Sequence, residues 1–290
     1  MEKMQRGLFF RRLFNKKEHF PFQGQIELTY ECSLNCVHCY CKGSEASAEG
    51  GSAYGGRGQK SEVRELTTEE WKKILDEISK EGCISLCLTG GDPLTRRDFL
   101  ELYSYAKAKG FIITLFTNGQ LLTPRIIDYL VKSPPYSIEI TLNGITQKTY
   151  ESITQVPGSF PKVMETISLL KQKKLPFVLK ANCLKQNKHE IAKIKAFTGE
   201  LFSDLPKNRF RFKYDPMIYP RYNRDTTPTN YRLSFKEIEE LRKQDPEWKE
   251  HEKRPKCRLP RLRRNKDFLY HCTNYKQIFF VDAYGYLKFC

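Results

Sequence analysis

From residue 25 to about 218, short runs rich in β-forming residues alternate with helical runs. No other feature restricts the fold of this chain as much. QIELTY (25–30) alternates along its length and reads as a strand entering a cysteine-rich loop. Thr67 and Glu70 have the spacing of a capping box, which opens the helix TTEEWKKILDEISKEG. The series continues as strand ISLCLTGG, helix DFLELYSYAKAKG, strand FIITLFTNG, helix TPRIIDYLVKS and strand SIEITLNG. A long helical stretch around KVMETISLLKQKK follows, then strand FVLKANCL, helix HEIAKIKAFTGEL and strand RFRFKYDPMI. Strands separated by helices of this length cannot pair as hairpins, so the pattern predicts parallel βα units in an open or closed barrel.

The flanking sequence breaks the rhythm. Residues 1–24 are basic and aromatic without an apolar signal core, and read as a strap on the barrel. Residues 43–62, GSEASAEGGSAYGGRGQKSE, have no hydrophobic period and predict a flexible loop over the barrel mouth. Residues 221–266 hold a loop, one helix (LSFKEIEELRKQ) and the basic run KRPKCRLPRLRRNK. Residues 267–290 read as a small β-hairpin with a cysteine near each end.

Charge and cysteine usage narrow the partners. The net charge of +16 favours an acidic partner: nucleic acid, anionic membrane, acidic peptide or acidic electron-transfer protein. No run is long and apolar enough to span a membrane. Ten cysteines without a secretory context predict reduced thiols or metal ligands in a cytoplasmic protein.

CSLNCVHC (32–39) gathers Cys32, Cys36 and Cys39 in one tight loop. A structural zinc site wants four ligands, commonly as two paired knuckles. Three thiolates on a 4Fe-4S cluster would instead leave one iron open to a small molecule. A zinc knuckle or plain reduced thiols stay open as alternatives on spacing alone. Cys41 reads as a structural thiol, and Cys83, Cys87 and Cys183 as small buried apolar side chains.

The CxxxCxxC spacing, placed directly after the first strand, resembles the radical S-adenosylmethionine (SAM) superfamily. The resemblance covers about residues 25–220 and implies an α/β fold, a partial (β/α)6 TIM-like barrel. It implies that Cys32, Cys36 and Cys39 bind a SAM-cleaving 4Fe-4S cluster. His38 stands where relatives often carry an aromatic residue, and Tyr40 follows the third cysteine. Gly90-Gly91-Asp92-Pro93 resembles the Gly-Gly-Glu-Pro turn that cradles the SAM amino group. Adjacent glycines let a backbone approach its neighbour closely. Thr117-Asn118-Gly119 and Thr141-Leu142-Asn143-Gly144 end the third and fourth strands. By resemblance Asn118, Thr141 and Asn143 face the SAM ribose or the substrate, and Lys180 the SAM carboxylate. Turn chemistry explains the Asn-Gly pairs equally well, and an ion pair explains Lys180. All of these residues fall at the C-terminal ends of predicted strands, where barrel enzymes build their sites.

Cys272, Gly285 and Cys290 resemble the opening of a SPASM or twitch domain, which implies a further, auxiliary iron-sulfur cluster. Two thiols, or three with Cys257, leave that cluster short of ligands, so a longer parent protein is expected. The resemblance implies reductive cleavage of SAM to a 5′-deoxyadenosyl radical, and hydrogen abstraction from a peptide or protein. The electron donor would be acidic, of flavodoxin or ferredoxin type. RNA or a small-molecule precursor is the alternative substrate, and a non-catalytic iron-sulfur or zinc module the alternative class. No residue stands out as a catalytic acid or base.

Overall fold

Among the described residues, eight strands form one sheet in the order β6-β5-β4-β3-β2-β1-β7-β8, parallel except for the last pair. The computed structural model describes residues 21–42, 64–205, 211–245 and 278–288. Most of the expected strap, the Gly/Ser loop, the basic run, Cys257, Cys272 and Cys290 lie outside the described residues.

The six expected strands are present: β1 (Gln23–Glu27), β2 (Ser85–Thr89), β3 (Ile112–Thr117), β4 (Ser137–Thr141), β5 (Phe177–Asn182) and β6 (Phe212–Asp215). Each pairs in parallel with the next in sequence. The crossovers carry α1 (Thr68–Lys80), α2 (Phe99–Ala108) and α3 (Pro124–Lys132), then the pair α4 (Gln147–Thr154) and α5 (Ser159–Gln172), then α6 (Ile191–Leu201). The capping box of Thr67 and Glu70 starts α1, and Thr123 with Pro124 starts α3. A further helix, α7 (Phe235–Gln244), follows β6.

Alternation along the strands separates two faces. Leu86, Leu88, Ile113, Leu115, Ile138, Ile140 and Leu179 are buried against the helices, with Trp71 and Leu75 of α1 and Ile127 and Leu130 of α3. The other face lines the concave interior. It carries Glu27, Cys87, Thr114, Phe116, Glu139, Thr141, Lys180, Asn182 and Lys213. A barrel interior that served only as core would be filled with branched apolar residues. This one is polar.

Two features depart from the sequence reading. The expected single helical stretch between β4 and β5 is two helices. Thr146 caps α4, and Gln155 ends it in the left-handed conformation. The C-terminal hairpin, β7 (Ile278–Val281) and β8 (Leu287–Lys288), also joins the barrel sheet, because β7 pairs in parallel with β1. Gly24 permits this: a Cβ there would lie 2.2 Å from the Phe279 ring.

Candidate functional site

The three-cysteine loop leaves the C-terminal end of β1 and is fastened to the helix that the sequence reading missed. The N–H groups of Asn35 and Val37 donate to the carbonyls of Thr154 and Ile153 at the end of α4, at 2.9 and 3.0 Å. The Cys39 N–H donates to the Cys36 carbonyl at 3.1 Å, and the Leu34 N–H to Cys32 Sγ at 3.4 Å. The apolar pair Tyr150 and Ile153, one helical turn apart after the Thr146 cap, was the available signal for α4.

Cys32 and Cys36 each feel the charge of another thiol in the set. Burial pushes Cys32 up to about 11 and Cys36 higher still. Cys39 is drawn down to about 6, chiefly by the hydrogen bond from the Cys41 thiol and then by backbone N–H groups, with Arg221 nearby. Cys41 itself is buried. Iron would bind all three as thiolates, so loading releases protons chiefly from Cys32 and Cys36. Among the described residues, no three His, Cys, Asp or Glu side chains converge closely enough to share one metal ion. Three thiols on one loop suit a 4Fe-4S cluster with one open iron, whereas a structural zinc ion wants four ligands. His38 lines the same loop. Burial lowers it to about 4, Asn182 hydrogen-bonds its ring, and its Nδ1 is buried with no partner. An orphaned polar atom here fits a site built to hold something more.

The Gly-Gly-Asp-Pro turn adjoins this loop, but the glycines make room for chain. A Cβ on Gly90 would lie 2.2 Å from the Thr29 carbonyl oxygen, and one on Gly91 2.3 Å from that of Glu31. Gly91 N–H donates to Thr29 and Asp92 N–H to Glu31, both at 2.7 Å, which extends the β1–β2 ladder into the cluster loop. Gly90 also has φ +148°, which other residues rarely adopt. Asp92 is fully buried. Its carboxylate accepts from Leu94 N–H (3.0 Å), Thr117 Oγ1 (2.8 Å) and Asn118 N–H (2.9 Å). Burial raises its pKa against these three donors. Pro93 begins the 3-10 turn behind it.

The remaining expected residues divide between site and scaffold. Asn118 reaches the cluster loop, donating from Nδ2 to Cys32 Sγ at 3.4 Å and Ser33 Oγ at 3.2 Å. Asn143 is turned to structure: its Oδ1 accepts from Asn182 N–H at 2.8 Å, and its carbonyl accepts from Asn187 at 2.8 Å. Thr141 ends β4 beside Lys180 of β5. The Lys180 ammonium is 3.5 Å from Glu139 and 3.6 Å from the centre of the Phe116 ring. Burial lowers its pKa. Lys213 of β6 pairs with the other Glu139 oxygen. Two ammonium groups thus flank one carboxylate on the inner wall.

Tyr40 points to a centre that the sequence reading did not find. Glu27, wholly buried at the end of β1, accepts from Tyr40 Oη at 3.2 Å and Tyr222 Oη at 3.0 Å on the same oxygen. The Tyr222 N–H donates to the Tyr40 carbonyl at 3.0 Å. Burial pushes Glu27 up to about 7, opposed by Tyr222 and the Lys288 charge. Arg221, beside Tyr222, is paired with Asp225 at 2.6 Å. Glu27 meets these groups only through folding. The one signal in the sequence was a carboxylate inside a strand pattern.

A family model described as the radical SAM superfamily matches residues 26–198. The chain is 34% identical over 179 residues to the AdoMet-dependent heme synthase of Methanosarcina barkeri, covering 62% of this chain and 46% of that protein. It is 30% identical over 189 residues to the PqqA peptide cyclase of Ruegeria pomeroyi, covering 65% of this chain and 46% of that one. The chain thus spans about half the length of the curated relatives it matches. A crystal structure of Streptococcus suis SuiB bound to S-adenosylmethionine superposes with a TM-score of 0.64 at 16% identity, over 96% of this chain and 62% of that one. At that identity the likeness shows the shared fold.

Proposed function

The chain belongs to the radical SAM superfamily, and from that membership we propose that it is the core of an enzyme that cleaves SAM and takes a hydrogen atom from a peptide or protein substrate. The observation that carries this reading is that Cys32, Cys36 and Cys39 share one loop fastened to β1, β2 and α4. Bound there, a 4Fe-4S cluster would supply the one-electron chemistry that splits SAM. The residues of this chain hold and orient. Cys32, Cys36 and Cys39 take the iron. Gly90 and Gly91 keep the cluster loop against β2, and Asp92 fastens that turn to the end of β3. His38 faces the same space as a neutral ring. Thr141 and Lys180 line the wall where the rest of SAM or the substrate would lie.

Similarity to a peptide cyclase supports a peptide substrate. Similarity to a heme synthase supports a second reading, a tetrapyrrole substrate. The basic charge supports an acidic reductant protein of flavodoxin or ferredoxin type. A SPASM-type auxiliary cluster on Cys272 and Cys290 belongs to the same proposal. Iron counts on Cys272→Ala test it separately.

The deciding experiment is anaerobic reconstitution followed by dithionite reduction with SAM. The wild-type protein is expected to form 5′-deoxyadenosine, and the variant with Cys32, Cys36 and Cys39 changed to Ala to form none. Continued product formation by that variant sinks the reading. Peptides encoded beside the gene and iron porphyrins, assayed in parallel for mass change, separate the two substrate classes.

A further inference from the structure

Asp92 and Asn118 are not joined to the cluster loop by sequence, yet they form a continuous chain of hydrogen bonds to it. The Asp92 carboxylate holds the Asn118 N–H at 2.9 Å and the Thr117 hydroxyl at 2.8 Å. The orientation of the Asn118 amide is fixed by its neighbours: Oδ1 accepts the Gln120 N–H at 2.8 Å, which directs Nδ2 toward the loop. The two Nδ2 hydrogens then have two partners, Cys32 Sγ and Ser33 Oγ. The turn carrying Asn118 is pinned on all sides. Gly119 N–H donates to Thr117 Oγ1 (3.1 Å), Thr166 Oγ1 donates to the Gly119 carbonyl (2.9 Å), and Gln120 Nε2 donates to the Ser159 carbonyl (2.9 Å). Asn118 therefore cannot swing away from Cys32 without disturbing β3 and α5.

We propose that Asn118, held in place by Asp92, is a positioning residue that donates to the Cys32 sulfur and thereby raises the reduction potential of the cluster bound there. The inference rests on the cluster reading above. A hydrogen bond to a ligand sulfur stabilises the more negative, reduced cluster, and such bonds are among the factors that set iron-sulfur potentials. The assignment gives the Asp92 side chain a part in the cluster's environment through Asn118.

Asn118→Asp is the discriminating variant. It keeps an oxygen for the Gln120 N–H, so the turn is retained, but it replaces the donor facing Cys32 by an acceptor with negative charge. Redox titration followed by electron paramagnetic resonance should show the ratio of reduced to oxidised cluster, at a fixed potential, falling at least tenfold, a shift of about 59 mV for one electron. Asn118→Leu, which removes the donor without adding charge, should shift the ratio less in the same direction. Asp92→Asn should shift it least. Wild-type potential in Asn118→Asp at full iron content would overturn the inference. Loss of iron from both Asn118 variants with the thermal melt unchanged would also overturn it, showing a scaffold for the ligand loop and nothing more. A wild-type protein that takes up no cluster defeats the functional reading instead.

Discussion

The same strands present two opposite chemistries. Toward the helices, β2 to β5 show Leu86, Leu88, Ile113, Leu115, Ile138, Ile140 and Leu179, all nearly without solvent contact. One residue away in each strand, the concave side shows Cys87, Thr114, Phe116, Glu139, Thr141 and Lys180. The outer face excludes water through shape and apolar area, a non-directional force that tolerates exchange of similar side chains. The inner face must satisfy each polar group individually, because an unpaired buried one is costly. Stability therefore comes chiefly from one side of the sheet, and the other is left free to be specific.

Substitutions on the two faces break that contrast in different ways. The largest effect is expected from Leu115→Ala, which opens a cavity in the helix-facing core and should cost about 2–5 kcal/mol in chemical denaturation. Its cluster spectrum, once reconstituted, should match wild type. A changed spectrum would mean that the two faces are not separable.

Glu27 comes next. Its pKa is raised from 4.5 to about 7, so the folded protein holds a proton that the unfolded chain gives up. The stabilisation is complete below the unfolded value and is lost as pH rises through about 7. Glu27→Gln cannot lose that proton. Its stability relative to wild type should therefore improve from pH 4.5 to 7, by about 1–3 kcal/mol. A difference that stays constant across this range would show that Glu27 is ionised in the fold.

Glu139→Gln should have the smallest effect. It removes the shared partner of Lys180 and Lys213, but the Lys213 side chain is 54% exposed and water takes over much of its charge. A loss of about 1 kcal/mol is expected, since an exposed pair is worth little and only Lys180 is left poorly compensated. Glu139→Gln combined with Lys180→Met should recover part of it.

The βα order and the position of the cysteine loop were legible in the sequence because both are written locally. Alternation, caps and spacing depend on neighbours a few residues away. Asp92 shows what such reading leaves out. The motif after β2 does not tell that its carboxylate accepts from Thr117 and Asn118 at the end of the next strand. Nor does the Asn143 turn tell that its side chain accepts the Asn182 N–H. Glu27 meets Tyr222 across most of the chain, which no local pattern encodes. The α4 helix was missed because it is short and its apolar residues are few.

The pairing of β1 with β7 bears on how the chain reaches this state. Gln23 lies opposite Ile278, so one edge of the first strand waits for nearly the last strand of the sheet. During synthesis β2 can cover the other edge early, and every later strand adds outward from it. The open side of β1 remains an uncovered template until residue 281 has left the ribosome. Contacts this distant in sequence form slowly, and an exposed edge attracts other chains meanwhile. The strand that leads into the cysteine loop is thus the first made and the last enclosed.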